Sequence, residues 1–269
     1  MTEKQFLADK MRSGQPVVTS WCFLRSAMIP EILARAGYGA VTIDMQHGMY
    51  DFDGTVDAVT HIALGGAHPI VRIPVGDNAL AGRLIDMGAE CIIAPMINSK
   101  ADAEAFARAL KYPPVGDRSW SPRRAVMLTG QSNEEYLKAS NSQTLGLAMI
   151  ETREAIDALD DILSVPELDG IFVGPSDLSL SLSNGSALDP NGEATARACA
   201  EIAQKALAAG KLAGIFCLSG EKVEEAVSMG YRLISHGIDT VFIDSAARDA
   251  LGEVSWLKDK VSKASGTGY

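Results

Sequence analysis

Short apolar segments alternate with longer amphipathic segments from one end of the chain to the other. The apolar segments are bounded by Gly, Pro or Asp and are rich in β-branched residues, which is typical of strands buried on both faces. Eight such segments lie at residues 17–23, 40–44, 69–74, 91–96, 145–151, 170–174, 211–217 and 233–239. The segments between them carry apolar residues at i, i+3 and i+4 spacing, which predicts amphipathic helices.

Eight strands alternating with helices predict an α/β fold, a single (β/α)₈ TIM barrel that forms one domain over residues 1–269. The length fits, since such barrels run to about 250 residues. A doubly wound open sheet is the alternative, but no GxGxxG pattern follows a strand and no P-loop pattern is present. Residues 1–16 predict a short amphipathic helix that precedes the barrel.

Composition and charge narrow the class of partner. The chain carries 24 Lys+Arg against 34 Asp+Glu, a formal net charge of −10, which argues against nucleic acid or an anionic membrane as a partner. No segment approaches the roughly 20 apolar residues of a membrane span, and the first residues lack the apolar core of a signal peptide. The 4 cysteines form no CxxC pair, which favours reduced thiols. We therefore expect a cytoplasmic protein that acts on a small molecule.

Two carboxylates follow neighbouring strands of the predicted barrel. Glu151 ends the fifth strand and Asp177 lies three residues after the sixth, and active sites of such barrels lie at the carboxyl ends of the strands. Neighbouring carboxylates repel each other unless a cation lies between them, and Mg²⁺ or Mn²⁺ is commonly bound in this way. The alternative is that Glu151 is a first-turn acid of a helix and Asp177 an N-cap.

An arginine and a histidine are the next candidates. Arg72 lies within the third strand, where a guanidinium is costly to bury unless it meets an anion. That anion is either a substrate carboxylate or enolate, or a structural partner such as Asp44 or Glu151. His47 follows the second strand and is a candidate general base, with Asp86 as a possible partner. A histidine that only packs its loop is the alternative.

Two further features concern the ends of the predicted strands: the turn after the sixth strand, and the absence of lysine at every strand end. In the segment 174–177, the backbone N–H groups of Ser176 and Asp177 are candidates for binding a carboxylate, although a plain tight turn is the alternative. No predicted strand ends in lysine, so Schiff-base chemistry lacks its nucleophile and carbanion chemistry would depend on a metal. Two long segments, residues 112–130 and 175–193, are expected as loops at the active face.

Six sequence motifs fall in order along the chain, five of them on successive strands. They are IDMQHG, VRIP, LIDMGAECIIAPMINS, KYPPVGDRS, MIETREAIDALDDILSV and LDGIFVGPSDLSLSL. In this order they resemble the metal-dependent (class II) 4-hydroxy-2-oxoheptanedioate aldolase family over residues 10–250. The segments DMQHG and AMIETREA are most similar to the hydroxyketoacid branch, whose members take hydroxypyruvate or pyruvate as the donor.

The resemblance implies a catalytic role for several residues. Glu151 and Asp177 correspond to the ligands of one divalent cation per subunit, Mg²⁺, Mn²⁺ or Co²⁺. Arg72 corresponds to the arginine that binds substrate and stabilises the enolate. His47 corresponds to the catalytic base.

It also implies supporting roles. Asp44 and Asp86 correspond to acids that support the histidine. The backbone of Ser176 and Asp177 corresponds to the contact with the pyruvate carboxylate, and Trp21 to a residue that lines the same pocket.

The resemblance further implies a homohexamer, a trimer of dimers in which a C-terminal helix at about residues 246–262 is exchanged between subunits. Two positions depart from the family pattern. Gln46 stands where glutamate is common before the histidine, which removes a charge beside the base. Met149 stands where glutamine is common two residues before the metal-binding glutamate, which removes a polar group beside the metal.

The sequence thus predicts a divalent-metal-dependent aldolase that joins or cleaves a pyruvate or hydroxypyruvate enolate and an aldehyde, the aldehyde entering from the side of residues 112–130. Two alternatives stay open. One is an oxaloacetate decarboxylase or a related enolate-forming lyase at the same site. The other is a non-catalytic sensor of a metal and a 2-oxo acid, which would have no need of His47.

Overall fold

Eight parallel strands close into a barrel in this computed structural model, which describes residues 5–256. Each strand pairs with the next along the chain, and the last pairs with the first. The strands are β1 Val17–Cys22, β2 Ala40–Asp44, β3 His68–Arg72, β4 Cys91–Ala94, β5 Leu145–Ile150, β6 Gly170–Val173, β7 Leu212–Cys217 and β8 Leu233–Ile238. The closed order confirms the predicted barrel and excludes the open doubly wound sheet.

Helices surround the barrel and follow its strands, as the amphipathic pattern predicts. They are α1 Leu7–Arg12, α2 Met28–Arg35, α3 Phe52–Gly65, α4 Asn78–Asp86, α5 Lys100–Leu110, α6 Arg123–Thr129, α7 Asn133–Gln143, α8 Arg153–Asp157, α9 Leu159–Leu163, α10 Pro175–Leu182, α11 Glu193–Ala208, α12 Gly220–Met229 and α13 Asp239–Gly252. Side-chain oxygens cap several of the first turns; Asp51, for example, accepts the Gly54 N–H at the start of α3.

The two segments expected as long loops at the active face are partly helical, and one of them lies elsewhere. Residues 175–193 begin with α10, whose first position is a proline that favours a helix start. Residues 112–130 contain α6 and follow helix α5, which leads away from the carboxyl ends of the strands. The segment therefore packs beside α3 and α4, where Arg124 donates to Thr60 Oγ1. Within one chain the segment therefore lies away from the active face, contrary to the expectation.

The helix α1 closes the amino-terminal end of the barrel, which confirms the predicted N-terminal helix. Its Leu7 and Met11 are 0% and 1% exposed and pack among the inward-facing residues of the strands. The Leu7 N–H donates to Glu90 Oε2 at 2.9 Å, and His68 Nδ1 lies 2.8 Å from the same oxygen. The helix therefore completes the hydrophobic core inside the barrel.

A buried lysine lies at the same amino-terminal end. Lys111 Nζ donates to Asp169 Oδ2 at 2.7 Å and to the carbonyl oxygens of Asn141 and Thr144. These partners of the Lys111 ammonium lie before strands β5 and β6, at the amino-terminal end of the barrel. None of the described strands ends in lysine, as the sequence indicates.

The four cysteines are buried and unpaired, which confirms the expectation of free thiols. Burial raises the pKa of each thiol, to about 11 for Cys199 and about 12 for Cys217. The described helices include none that is long and apolar enough to cross a membrane.

The last described helix begins earlier than expected. Helix α13 spans Asp239–Gly252, whereas the resemblance implies a helix at about residues 246–262. Residues 257–262 lie outside the described residues. Along α13, Val241, Ile243 and Leu251 are 47–49% exposed, so this helix presents apolar side chains to the outside of the barrel.

Replacing Leu7 by alanine is expected to destabilise the fold, because the side chain fills the end of the barrel and its removal leaves a cavity. Loss of a fully buried leucine side chain lowers the free energy of unfolding by about 2–5 kcal/mol. Urea denaturation of Leu7→Ala beside Leu137→Ala, whose leucine is 51% exposed on α7, measures the difference. Equal stability of the two variants would show that α1 does not contribute to the core.

Candidate active site

A cavity of about 230 Å³ opens at the carboxyl ends of the strands. Residues from most of the strand ends line it, so the barrel closure brings together side chains that are far apart in sequence. The lining residues are Trp21, Phe23, His47, Arg72, Met149, Phe172, Gly174, Pro175, Ser176, Asp177, Phe216, Leu218 and Ile238. The predicted residues Trp21, His47, Arg72, Ser176 and Asp177 are all among them.

The carboxylate of Asp44, at the end of β2, organises one side of this cavity. It is fully buried and accepts hydrogen bonds from Arg72 Nε at 3.0 Å and Nη2 at 2.5 Å. It also accepts from Trp21 Nε1 at 3.2 Å, and from the backbone N–H groups of Gln46 and His47 at 3.0 and 3.3 Å. Five donors on one carboxylate fix the arginine, the indole and the loop that carries the histidine.

Arg72 therefore has the structural partner that the sequence leaves open, and it lines the cavity as well. Its side chain is 9% exposed, and its guanidinium carbon lies 5.1 Å from the centroid of the Trp21 ring. The pairing with Asp44 balances the buried charge and holds the planar group in one orientation. Arg72 is thus a fixed cation in the wall of the cavity.

His47 lies at the rim of the cavity, and its support differs from the expectation. Asp44 holds its backbone N–H, so this acid positions the loop, and the described residues place no acid in hydrogen bond with the His47 ring. The ring is exposed and faces the cavity from the end of β2. The support that Asp44 gives is positional, and the tautomer of the ring is not set by it.

Asp86 does not join this group within one chain. It is the last residue of α4, which leads away from the carboxyl end of β3, and its Oδ1 lies 4.0 Å from Arg118 Nε. Burial raises the pKa of Asp86, and the neighbouring Arg118 and Tyr112 lower it. The sequence spacing identifies the right helix, but the residue stands at the far end of that helix from His47.

Glu151 and Asp177 follow β5 and β6, and Glu151 is the more enclosed of these two acids. It directly follows β5, is 2% exposed, and its Oε1 accepts the Met96 N–H at 2.8 Å. Burial raises the pKa of Glu151 above its usual value; the Met96 N–H lowers it, the Asp177 charge raises it and Arg72 lowers it. Burial and an acidic neighbour both disfavour the charged form of this carboxylate, and a nearby cation would favour it.

Two backbone features shape the space around Glu151. Met96 holds its N–H toward the carboxylate with a φ of 55°, a left-handed conformation that is costly for a residue with a side chain. A Cβ placed on Gly174 would lie 2.9 Å from Glu151 Oε2 and 3.0 Å from Met149 Cε. The lack of a side chain at Gly174 therefore leaves room for this carboxylate oxygen.

The residues fit a divalent cation bound by oxygen ligands. Glu151 Oε2 lies at the space that Gly174 leaves open, and the exposed Asp177 follows the neighbouring strand, with its charge close enough to raise the pKa of Glu151. Among the described residues, no group of three or more His, Cys, Asp or Glu side chains comes together as a metal site. Two carboxylates with the other positions left to water or substrate is the arrangement that Mg²⁺ and similar hard cations take in enzymes.

The two positions that depart from the family pattern lie in different surroundings. Met149 is 3% exposed and lines the cavity beside Gly174. Gln46 is half-buried next to His47, and its side-chain Oε1 is enclosed without a hydrogen-bond partner among the described residues. Met149 therefore gives the side of the cavity next to Glu151 an apolar surface.

Sequence reasoning missed the apolar part of the cavity. Phe23, Phe172, Phe216, Leu218 and Ile238 line it, each at or just beyond the carboxyl end of a strand. The same positional signal that identified the polar candidates was available for these residues, but apolar side chains at strand ends are easily assigned to the core.

A buried acid that supports the cavity was also missed. Asp239, the first residue of α13, is 1% exposed and accepts the N–H groups of Phe23 and Leu24 at 2.9–3.1 Å. It therefore fixes the chain where β1 ends, beside the cavity. Its place at the end of the β8 segment is visible in the sequence, but its partners are not.

The chain matches known proteins over most of its length. The sequence model of the family described as HpcH/HpaI aldolase/citrate lyase matches residues 18–246. A protein of Rhizorhabdus wittichii named hydroxypyruvate/pyruvate aldolase is 40% identical over 244 residues, 91% of this chain and 96% of that protein.

Solved structures show the same fold. A structure of an HpcH/HpaI aldolase/citrate lyase family protein from Burkholderia cenocepacia superposes with a TM-score of 0.82 at 29% identity, covering 92% of this chain and 98% of that one. A citrate lyase beta subunit from M. tuberculosis, complexed with oxaloacetate and magnesium, shares the fold with a TM-score of 0.56 at 19% identity over 86% of this chain and 95% of that one.

Replacing Asp44 by alanine is expected to destabilise the protein strongly, because the Arg72 guanidinium is then buried without its partner. Removing one member of a buried ion pair costs about 3–5 kcal/mol of unfolding free energy. The exposed pair Lys138–Glu134 on α7 is the matched comparison, and Lys138→Ala is expected to change stability little. Urea denaturation measures both; an equally small effect of Asp44→Ala would show that Arg72 does not depend on Asp44.

Proposed function

This chain belongs to the HpcH/HpaI aldolase/citrate lyase family, and from that premise we propose that it is a divalent-metal-dependent aldolase. It is a carbon–carbon lyase that forms or cleaves the bond between a pyruvate or hydroxypyruvate donor and an aldehyde. The observation that carries the proposal is the pair of neighbouring acids after β5 and β6. Asp177 lines the cavity together with Arg72 and His47, and Glu151 lies behind the lining, with its Oε2 beside the lining residue Gly174 and the Asp177 charge close enough to raise its pKa.

Glu151 and Asp177 would hold the cation, one per subunit, as Mg²⁺, Mn²⁺ or Co²⁺. When bound, such a cation polarises the ketone of a 2-oxo acid and makes a proton on the adjacent carbon easier to remove. Glu151 contributes through Oε2, because its Oε1 accepts the Met96 N–H. The buried Glu151 and exposed Asp177 leave the rest of the coordination to substrate and water.

The donor carboxylate is placed by the backbone at the start of α10. Ser176 and Asp177 occupy the first turn of this helix, where N–H groups have no partner within the helix. Arg72 faces the same space from β3, held by Asp44, so that the negative charge that develops on the donor's C2 oxygen meets a fixed cation. Trp21 forms the wall behind the arginine.

His47 is the proton acceptor of the proposed site. Its exposed ring at the rim reaches the cavity while Asp44 fixes its backbone. In the synthetic direction the ring takes a proton from C3 of the donor, and in cleavage it takes the proton of the C4 hydroxyl. An imidazole ring both accepts and donates a proton, which suits both directions.

The two alternatives to an aldolase are an oxaloacetate decarboxylase and a non-catalytic sensor of a 2-oxo acid. A decarboxylase of oxaloacetate would use the same acids and arginine and release CO₂ without any aldehyde, so product analysis separates it. A sensor would bind a 2-oxo acid without turnover and would not need an imidazole at the rim of the cavity. His47, which lines the cavity and has no structural hydrogen bond from its ring among the described residues, favours an enzyme.

We also propose a homohexamer built from dimers in the cytoplasm, with the C-terminal helix exchanged between subunits. The exposed apolar side chains of α13 support a subunit contact there, and buried unpaired thiols are typical of a reducing compartment. In such an assembly, a contact of Asp86 with a histidine at position 47 would have to be made between subunits, because one chain places them apart.

Removal of the metal is expected to abolish aldol activity. Enzyme stripped with EDTA should lose turnover of pyruvate with an aldehyde and regain it on addition of Mg²⁺, Mn²⁺ or Co²⁺. Full activity in the stripped enzyme would contradict the proposed metal dependence.

Two substitutions separate metal binding from proton transfer. Glu151→Ala is expected to lose Mn²⁺ binding in calorimetric titration, because it removes the buried ligand. His47→Ala should keep Mn²⁺ binding and lose about 10²–10⁴ in kcat, the usual contribution of a general base. Normal Mn²⁺ affinity in Glu151→Ala would refute the ligand assignment, and unchanged kcat in His47→Ala would refute the base.

Gly174→Ala tests the space beside Glu151. The added Cβ would lie 2.9 Å from Glu151 Oε2 and must displace it, so Mn²⁺ affinity is expected to fall by about 10–100-fold, as for other residues that orient a ligand. Gly220→Ala is the control, because nothing lies within 4 Å of a Cβ there. Equal affinity in both variants would show that Oε2 is not a ligand.

A further inference from the structure

The cavity is divided into a polar side and an apolar side. The polar side consists of Arg72, His47, Ser176 and Asp177, the residues to which the proposed function assigns the metal, the donor and the proton. The apolar side consists of residues at the ends of β1, β7 and β8. Once a donor occupies the polar side, the apolar side is what remains for the second substrate.

Aromatic and aliphatic side chains form this apolar wall, which we define as Phe23, Phe216, Leu218 and Ile238. Phe216 contacts the Trp21 ring edge to face, with ring centroids 5.5 Å apart. Leu218 forms the outer edge and is 52% exposed, which leaves a large apolar surface uncovered at the mouth of the cavity. Such a surface is stabilised by an apolar ligand that covers it.

The backbone of the wall is fixed as well as its side chains. The Phe23 N–H donates to both oxygens of the buried Asp239 at 3.0–3.1 Å, and Ile238 is the residue directly before that acid. The opposite ends of the wall are thus tied to one carboxylate. The wall is therefore a preformed surface and needs little ordering when a ligand binds.

Within one chain, the described lining offers little to a charged or polyhydroxylated second substrate. Its cationic candidates are Arg72, already paired with Asp44, and His47, the proposed base. Its hydroxyl-bearing side chain is Ser176, whose backbone the donor takes up. A second carboxylate, or a row of hydroxyl groups, would lose water at this wall without gaining partners.

We propose that the aldehyde acceptor of this enzyme carries an uncharged, apolar substituent, an alkyl chain or an aromatic ring, which packs against Phe23, Phe216, Leu218 and Ile238. The inference rests on the proposed aldolase function and deepens it. The whole cavity, donor side included, has a volume of about 230 Å³ and opens to the outside at Leu218, whereas a closed apolar cavity of about 150 Å³ already accommodates benzene.

The reaction balances with these two substrates alone. A proton leaves C3 of the donor for His47, the resulting electron pair forms a bond to the aldehyde carbon, and the aldehyde oxygen accepts a proton and becomes the C4 hydroxyl. The apolar substituent takes no part in the chemistry. It lies against the wall and orients the aldehyde carbon toward the polar side.

Matched pairs of aldehydes test the proposal. Pyruvate is the donor, the metal-loaded wild-type enzyme is used, and kcat/KM is compared for butanal against succinate semialdehyde of the same chain length, and for propanal against glyceraldehyde. The apolar member is expected to be favoured by about tenfold or more in each pair, the usual effect of an apolar pocket on discrimination. Equal or higher kcat/KM for the charged or hydroxylated member overturns the proposal.

A cation introduced at the rim of the cavity provides a second, independent test of the apolar wall. Leu218→Arg is expected to shift the ratio of kcat/KM for succinate semialdehyde over butanal upward by about tenfold, the effect of one charge-assisted contact. Leu188→Arg is the control, since Leu188 is 65% exposed and lies outside the cavity lining. The same ratio in both variants shows that Leu218 does not contact the acceptor and overturns the proposed wall.

The outcomes separate this inference from the function on which it rests. Aldol product with a preference for charged or hydroxylated aldehydes leaves the aldolase function intact and refutes the apolar acceptor. No aldol product from pyruvate with any of the four aldehydes refutes the aldolase function and the apolar acceptor together.

Discussion

The buried ion pair between Asp44 and Arg72 is the interaction on which the rest of the site depends. Because the Asp44 carboxylate is fully buried at the end of β2 and accepts five hydrogen bonds, it fixes the guanidinium, the Trp21 indole and the backbone of His47 at once. Neither charge would be tolerated alone at this depth. A barrel that needs this pair for stability thereby holds a fixed cation and a histidine at the mouth of one cavity.

The opposite side of the cavity shows the complementary arrangement. Glu151 is buried beside Asp177, forms no ion pair among the described residues and feels the Arg72 charge only as the last of the influences on its pKa, and Gly174 leaves room for its Oε2. An acidic protein of net charge −10 thus has one place where a metal ion and Arg72 together would present positive charge to an anionic donor. The remaining wall is apolar, so the anionic donor and the apolar substituent of the aldehyde would bind to different parts of the cavity.

The strands and most polar site residues were predictable, because each depends on local signals: buried apolar runs, and polar residues directly after them. All eight predicted strands are confirmed to within two residues. Side-chain partners were harder. Asp86 was expected beside His47 but lies at the far end of α4 with Arg118, since sequence spacing gives the helix and not the end that matters. Phe216 and Ile238 were missed because an apolar side chain at a strand end gives no signal that distinguishes a cavity wall from the core.

The central claim is that this cavity removes a proton from the methyl group of a 2-oxo acid. Exchange of the pyruvate C3 protons for deuterium in D₂O, followed by NMR without any aldehyde, tests it most directly. The account predicts loss of the methyl signal with metal-loaded enzyme, and no loss in EDTA. A protein that binds pyruvate and metal but leaves the methyl signal unchanged would contradict it.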